Sequence, residues 1–223
     1  MPFMCSMNRH MHQHGIGLDG SRSLLWAVLL VSLVSCAGKI ERIEIAIPDQ
    51  YTGPSTSGPV PGALRVAVVP FKDTREYQSN MGYRSHLWGG ISIFKLSSGS
   101  ITKASAQAFA DYLNRQGWQA SLADTMAPDG ADVTITGTIQ ALSIDATSGW
   151  MHTDLSVKNT LVLDVRNHSD KSVVQWSLHG VGTDQVFWFE PKDAQVLTTE
   201  VFEKNFQTFL GDIRIEDRAI RQR

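Results

Sequence analysis

Cysteine is scarce: the 223-residue chain holds two, Cys5 and Cys36. That excludes a disulfide framework and any zinc site built on several cysteines. Neither sign of charge predominates, with 20 Lys and Arg against 22 Asp and Glu. Such a balance offers no basic surface for nucleic acid or for anionic lipid. A membrane-spanning helix needs about 20 apolar residues, whereas the apolar run Leu24 to Val34 holds 11, broken by Ser32. Familiar reaction motifs are missing too. None of the histidines stands in a His-Glu-x-x-His spacing, and Ser85, Ser97, Ser98 and Ser100 lack a Gly-x-Ser-x-Gly context. The glycines of "WGGISIFKLSSGS" do not follow a strand and open a helix in phosphate-loop spacing, so they read as turn glycines. These absences predict no metal, no cofactor and no enzyme.

What is present begins with an address. Arg9 and Arg22 precede the short apolar run, which ends in Leu33-Val34-Ser35-Cys36. Charge, run length and position match a secretory signal, and the ending resembles a bacterial lipobox. The resemblance implies lipid transfer to Cys36, cleavage after Ser35 and acylation of the new terminus. Several acyl chains anchor firmly where one binds only marginally. Ala37 follows, not the Asp that resembles inner-membrane retention, so the expected site is the periplasmic face of the outer membrane. Met4, Met7 and Met11 offer later starts, and the histidines of "NRHMHQHG" fall in the part to be removed.

Cleavage leaves 188 residues with 18 basic and 21 acidic side chains, enough for one domain with its own core. The expected layout is a signal over 1–35, a lipidated start and Pro/Gly/Ser-rich tether over 36–62, and one domain over 63–215. An insertion at 72–100 and a flexible tail at 216–223 complete it. "PDQYTGPSTSGPVPG" cannot hold a helix. Extended at about 3.1 Å per residue, it would lift a domain up to ~45 Å from its anchor. The alternative is a strap lying over the domain.

Hydrophobic periodicity supplies the elements. "LRVAVVPF", 64–71, reads as a buried central strand. "ITKASAQAFADYLNRQGW" reads as a helix with Ala106, Phe109, Ala110 and Leu113 on one face and Gly117 ending it. Strand patterns follow near 119–122, then in "DVTITGTIQA", "DLSVKNTLVLDVRN" and "SVVQWSLHGV". A second helix is predicted over about 192–210, striped by Leu197, Val201, Phe202, Phe206 and Phe209. Alternating strands imply a sheet wet on one face. The expected fold is α+β: a two-layer sandwich, mainly antiparallel, with two amphipathic helices on one face. Gly137 is placed inward, where a helix could come close.

A lipobox, then "IERIEIAIP", then "VAVVPFKDTR", the helix ending "LNRQGW" and the strands "ADVTITGTIQALSID" and "LVLDVRN" together resemble the YajG-type family of bacterial lipoproteins. That family has no assigned catalytic residues, so the resemblance implies none here.

Four histidines survive processing: His86, His152, His168 and His179, read as solvated. "KDTRE", 72–76, is read as a solvated turn and not as a paired-carboxylate site. The insertion is the candidate for recognition, with Tyr83, Trp88 and Phe94 as candidate partner-binding residues because aromatics dominate interface anchors. The competing reading is a small hairpin in which Trp88, Ile91, Ile93 and Phe94 tuck over the sheet edge. In "QVFWFEP", Trp188 is expected to cap the core, with Phe187 or Phe189 outside. The functional expectation is a non-enzymatic lipoprotein, membrane-held through Cys36, that binds an envelope protein or cell-wall partner. The alternative is an envelope hydrolase acting on peptidoglycan or lipid.

Overall fold

The computed structural model describes residues 40–48, 51, 55, 64–125 and 129–223. Cys36, the expected signal over 1–35 and most of the Pro/Gly-rich stretch lie outside the described residues. In chain order the strands are β1 (Glu41–Ile45), β2 (Arg65–Val68), β3 (Lys72–Asp73), β4 (Gly82–Ser85) and β5 (Ile91–Leu96). Helix α1 (Ile101–Arg115) precedes β6 (Gln119–Leu122), β7 (Val133–Ser148), β8 (Thr153–Asn167) and β9 (Val173–Val186). Helix α2 (Pro191–Gly211) and the strands β10 (Ile213–Glu216) and β11 (Ala219–Gln222) close the chain.

β7 is the spine of a nine-stranded sheet. Along one edge it pairs with β8, which pairs with β9, both antiparallel. Along the other edge the short strands β2, β3 and β4 lie end to end, each parallel to β7. β6 continues the sheet beyond β2 in parallel, reached through the helical crossover α1 that a parallel pair requires. Beyond β4 comes β5, antiparallel, and then β1, parallel to β5. A mainly antiparallel two-layer sandwich is therefore the wrong description: the sheet is mixed, with parallel pairing along a whole edge of its longest strand. Alternation reports that one face is wet; it carries no information about strand direction.

The boundaries change as well. β1 is a sheet strand, so the folded unit begins at Ile40 and not at 63. The stretch 48–62 follows β1 in the chain, so it does not separate Cys36 from the sheet. Nor is 216–223 a flexible tail. β10 and β11 form a hairpin whose two turn residues, Asp217 (φ 50°) and Arg218 (φ 57°), are both left-handed, as a type I′ turn requires. The Asn167 carboxamide clamps it, accepting from the Ile220 N–H at 2.8 Å and donating to the Ile220 carbonyl at 3.1 Å.

Both helices pack on one face through aromatic rings. Phe109 of α1 meets Phe206 and Phe209 of α2 at centroid distances of 4.9 and 5.4 Å, and Trp176 of β9 meets Phe209 at 5.2 Å. Each such side chain, fully buried, contributes roughly 1.5–3 kcal/mol. The Ser100 hydroxyl caps α1 by accepting from the Lys103 N–H, and Gly117 (φ 84°) follows its end. α2 crosses β9 where Gly180 and Gly182 give room: a Cβ on Gly182 would stand 2.6 Å from Val201. Gly137 faces inward, but what comes close is the Phe71 ring and not a helix: a Cβ on Gly137 would stand 2.6 Å from it.

Candidate functional site: an aromatic end of the sheet

The ends of β4, β7 and β9 coincide, since Ser85 pairs with Thr147, Ser148 with Thr153, and Thr153 with Val186. The β4–β5 turn, the β7–β8 turn and the β9–α2 loop therefore emerge at one end of the sheet. β1 starts there too, because Glu41 pairs with Ser92 at the beginning of β5.

These three connections carry large apolar side chains outward. Trp88 is 85% exposed, Trp150 75%, Trp188 79% and Phe187 70%, with Leu87 and Met151 beside them. Local chemistry explains the display. Gly89 (φ 84°) and Gly90 (φ 96°) take left-handed conformations, so residues 86–90 reverse tightly. The His86 N–H donates to the Gly90 carbonyl at 3.2 Å, leaving Leu87 and Trp88 at the tip. On the neighbouring turn, the Gly149 N–H donates to the His152 carbonyl at 2.7 Å, which projects Trp150 and Met151. Trp88 and Trp150 meet edge to face at 6.3 Å. Isolated exposed apolar residues are ordinary, but a cluster rimmed by polar groups marks an interaction surface.

Beneath the tips lies a rigid floor. Phe94 is fully buried and Phe189 nearly so, their rings 6.2 Å apart, and the Arg84 guanidinium sits 4.2 Å over Phe189. Burial lowers the Arg84 pKa from its ordinary value, partly offset by the charge of Glu41. Arg84 also donates to the Ser148 hydroxyl at 3.2 Å. The Ser92 hydroxyl donates to the Glu41 carboxylate at 2.9 Å and lies 2.6 Å from His86 Nε2. That order puts the carboxylate on the serine, whereas a hydrolytic triad places histidine between the two. Ser92 is also wholly buried. Its chemistry is that of a latch, joining the start of β1 to the β4–β5 turn.

The anticipated residues thus separate. Trp88 stands at the aromatic end. Phe94 does not: it is a core residue on the inward face of β5, between Ile43 and Gly82 across the neighbouring strands, and no partner can reach it. Tyr83 points from β4 toward the other sheet face, its hydroxyl accepting from the Asn80 amide at 2.8 Å beside a shallow hollow of about 360 Å³. Trp188 does not cap the core; Phe189 does. Cys36 is outside the described residues. Sequence reasoning passed over Trp150 and Met151, whose signal was large apolar residues in a hairpin turn where polar turn chemistry is the rule.

Elsewhere the polar clusters bind the fold together. Asp73 and Arg75 form a buried two-pronged ion pair at 3.0 and 2.9 Å, and Arg75 also donates to the Asn80 and Leu142 carbonyls. Within "KDTRE", Lys72, Thr74 and Glu76 are exposed, while the Asp73–Arg75 pair pins the segment to the fold. His168 bonds the Thr134 hydroxyl at 2.8 Å, and His152 lies 3.4 Å from Asp154. Burial works to raise the Asp132 carboxyl, but hydrogen bonds from Arg218 and the Arg65 N–H, with both positive charges, bring it below the usual range. Asp170 is held far lower by hydrogen bonds from Arg221 and Ser172. Both carboxylates tie down the C-terminal hairpin. Among the described residues no helix is long and apolar enough to cross a membrane.

No family model matches the chain, and no curated protein matches it in sequence. Solved structures are similar at a distance. A Xanthomonas campestris protein of family DUF330 is 11% identical with a TM-score of 0.48, covering 75% of this chain and 92% of its own. A homologue of a neuraminyllactose-binding hemagglutinin from Helicobacter pylori is 8% identical (TM-score 0.41; 73% and 91% covered). Lipoprotein GNA1162 of Neisseria meningitidis is 10% identical (TM-score 0.37; 63% and 96% covered). Likeness of this degree transfers neither activity nor partner to the chain.

Proposed function

We propose that this chain is a YajG-type lipoprotein of the bacterial outer membrane, facing the periplasm, with a non-enzymatic binding role in the envelope. Its binding surface is the aromatic end. One observation carries this reading: three tryptophans and a phenylalanine, each at least 70% exposed, stand on adjoining loops of one rigid sheet end. Tryptophan in that setting gives much contact area for little ordering cost, the profile of a binding anchor. Lipidation at Cys36 belongs to the same reading and rests on the lipobox.

A photo-activatable crosslinker placed at Trp88 or Trp150 in intact cells tests it. Adducts with an envelope component are expected from both positions and not from Gln175, on the open sheet face. Adducts from Gln175 alone would move the binding surface to that face and overturn the assignment.

A further inference from the structure

We infer that the partner of the aromatic end is the bilayer itself: Trp88, Trp150 and Trp188 rest in the interfacial layer of the membrane that holds the lipid anchor. The inference rests on the lipoprotein reading above and specifies its partner.

Position comes first. β1 starts at the aromatic end, and Cys36 precedes Ile40 by four residues of sequence. Four fully extended residues span at most ~14 Å. A lipidated Cys36 at the membrane surface therefore holds this end of the sheet within that distance of the headgroups. The Pro/Gly-rich stretch adds nothing to the reach, because it follows β1. The Glu41–Ser92–His86 latch fixes the start of β1 to the β4–β5 turn, so the short leash pulls on the tip that bears Trp88.

Size comes next. A folded partner of 100 residues has a radius of gyration of about 13 Å. Its full width exceeds the gap that the leash permits, so it cannot be seated between the tips and the bilayer. A lipid surface needs no gap.

Chemistry agrees. Tryptophan concentrates at membrane–water interfaces, where its ring sits at headgroup level and its N–H stays hydrated. The end adds Leu87, Met151 and Phe187 to the three tryptophans and presents them on turns, whose backbones can remain in water while the side chains dip. Each contact alone is weak, but the anchor turns docking into an intramolecular step of high effective concentration. Docking fixes the orientation of the domain: the spine β7 points its C-terminal end at the bilayer and the β10–β11 hairpin faces the periplasm.

The test uses the full chain purified from bacterial membranes and reconstituted into vesicles of phosphatidylcholine, unlabelled or brominated near the headgroup end of the acyl chains. Intact mass reports acylation independently. Tryptophan emission is expected to fall at least ~2-fold in brominated vesicles, since three of the five tryptophans after Cys36 stand at the interface. The triple variant Trp88→Ser, Trp150→Ser, Trp188→Ser should stay anchored, with its remaining emission from Trp118 and Trp176 nearly indifferent to bromine. An acylated wild type whose emission ignores bromine overturns the inference while the lipoprotein reading stands. Emission shielded by association with another protein, without lipid quenching, overturns it as well and leaves the aromatic end a protein-binding surface. Absence of acyl mass sinks the lipidation reading; bromine quenching in that unacylated protein would still support docking, and its absence would remove both.

Discussion

Truncating Phe94 and Trp88 to alanine separates a core aromatic from a displayed one on the same hairpin. Phe94 has no exposed surface. It packs against Phe189 on an inward position that β1 and β4 flank. Removing its ring forfeits the transfer free energy and leaves a cavity, about 3–5 kcal/mol for Phe→Ala. In a domain of this size each kcal/mol moves Tm by roughly 2–4 °C, so Phe94→Ala should lower it by roughly 6–20 °C. Trp88 is 85% exposed and keeps one ring contact, to Trp150. Its loss should stay within about 0.5 kcal/mol, or roughly 2 °C. Thermal and urea melts of both variants, followed by far-UV circular dichroism, measure the difference. Equal losses in the two, or a Phe94→Ala midpoint matching wild type, would refute the placement of β5 in the core.

Arg75→Met should cost about 3–5 kcal/mol because it removes one partner of a largely buried, two-pronged ion pair; a midpoint unchanged in the same melts would show the pin to be idle. The folded pKa values of Asp132 and Asp170 are depressed. Their contribution is therefore complete above the unfolded value of about 3.9 and is lost as pH falls through the folded values. NMR shifts of Ile215 and Ile220 should hold steady down to about pH 5 and move below about pH 4, and release of the hairpin between pH 7 and 5 would contradict this. Cys36→Ala should abolish palmitate labelling and leave the signal uncleaved, and labelled palmitate on that variant would rule out the lipobox.

Much of this fold was legible where a long element carries its own period. Ala106, Phe109, Ala110 and Leu113 are buried together on α1, as their spacing predicts. β7, β8 and β9 bury alternate residues over most of their length. Legibility failed where an element is short or its partner remote. β3 has two residues, too few for any period; the alternation of Ile43, Ile45 and Ile47 does mark β1 as a strand, but not its pairing with β5 about fifty residues away. The two-residue turn Asp217-Arg218 hid a hairpin because neither residue is the glycine or asparagine that usually signals left-handed backbone. At the candidate site the sequence offered aromatics but not their direction. Phe94 and Trp88 lie on one hairpin, and only strand register decides that one ring points into the core and the other caps the turn.

The broken edge of β7 has a consequence for the order in which the chain organises itself. β7 meets β8 across a turn of four residues, and β8 meets β9 across a similarly short one, so this meander closes small loops. Val66 must instead find Val133, 67 residues later, and Gly82 must find Ile144. Distant pairings are slow because loop-closure entropy is lost before any contact repays it. A chain is made N-terminus first, so β1 to β6 precede the strand that templates them. That half of the sheet waits on β7 for its pairing, and pulse-labelled amides of β8 should gain protection before those of β2.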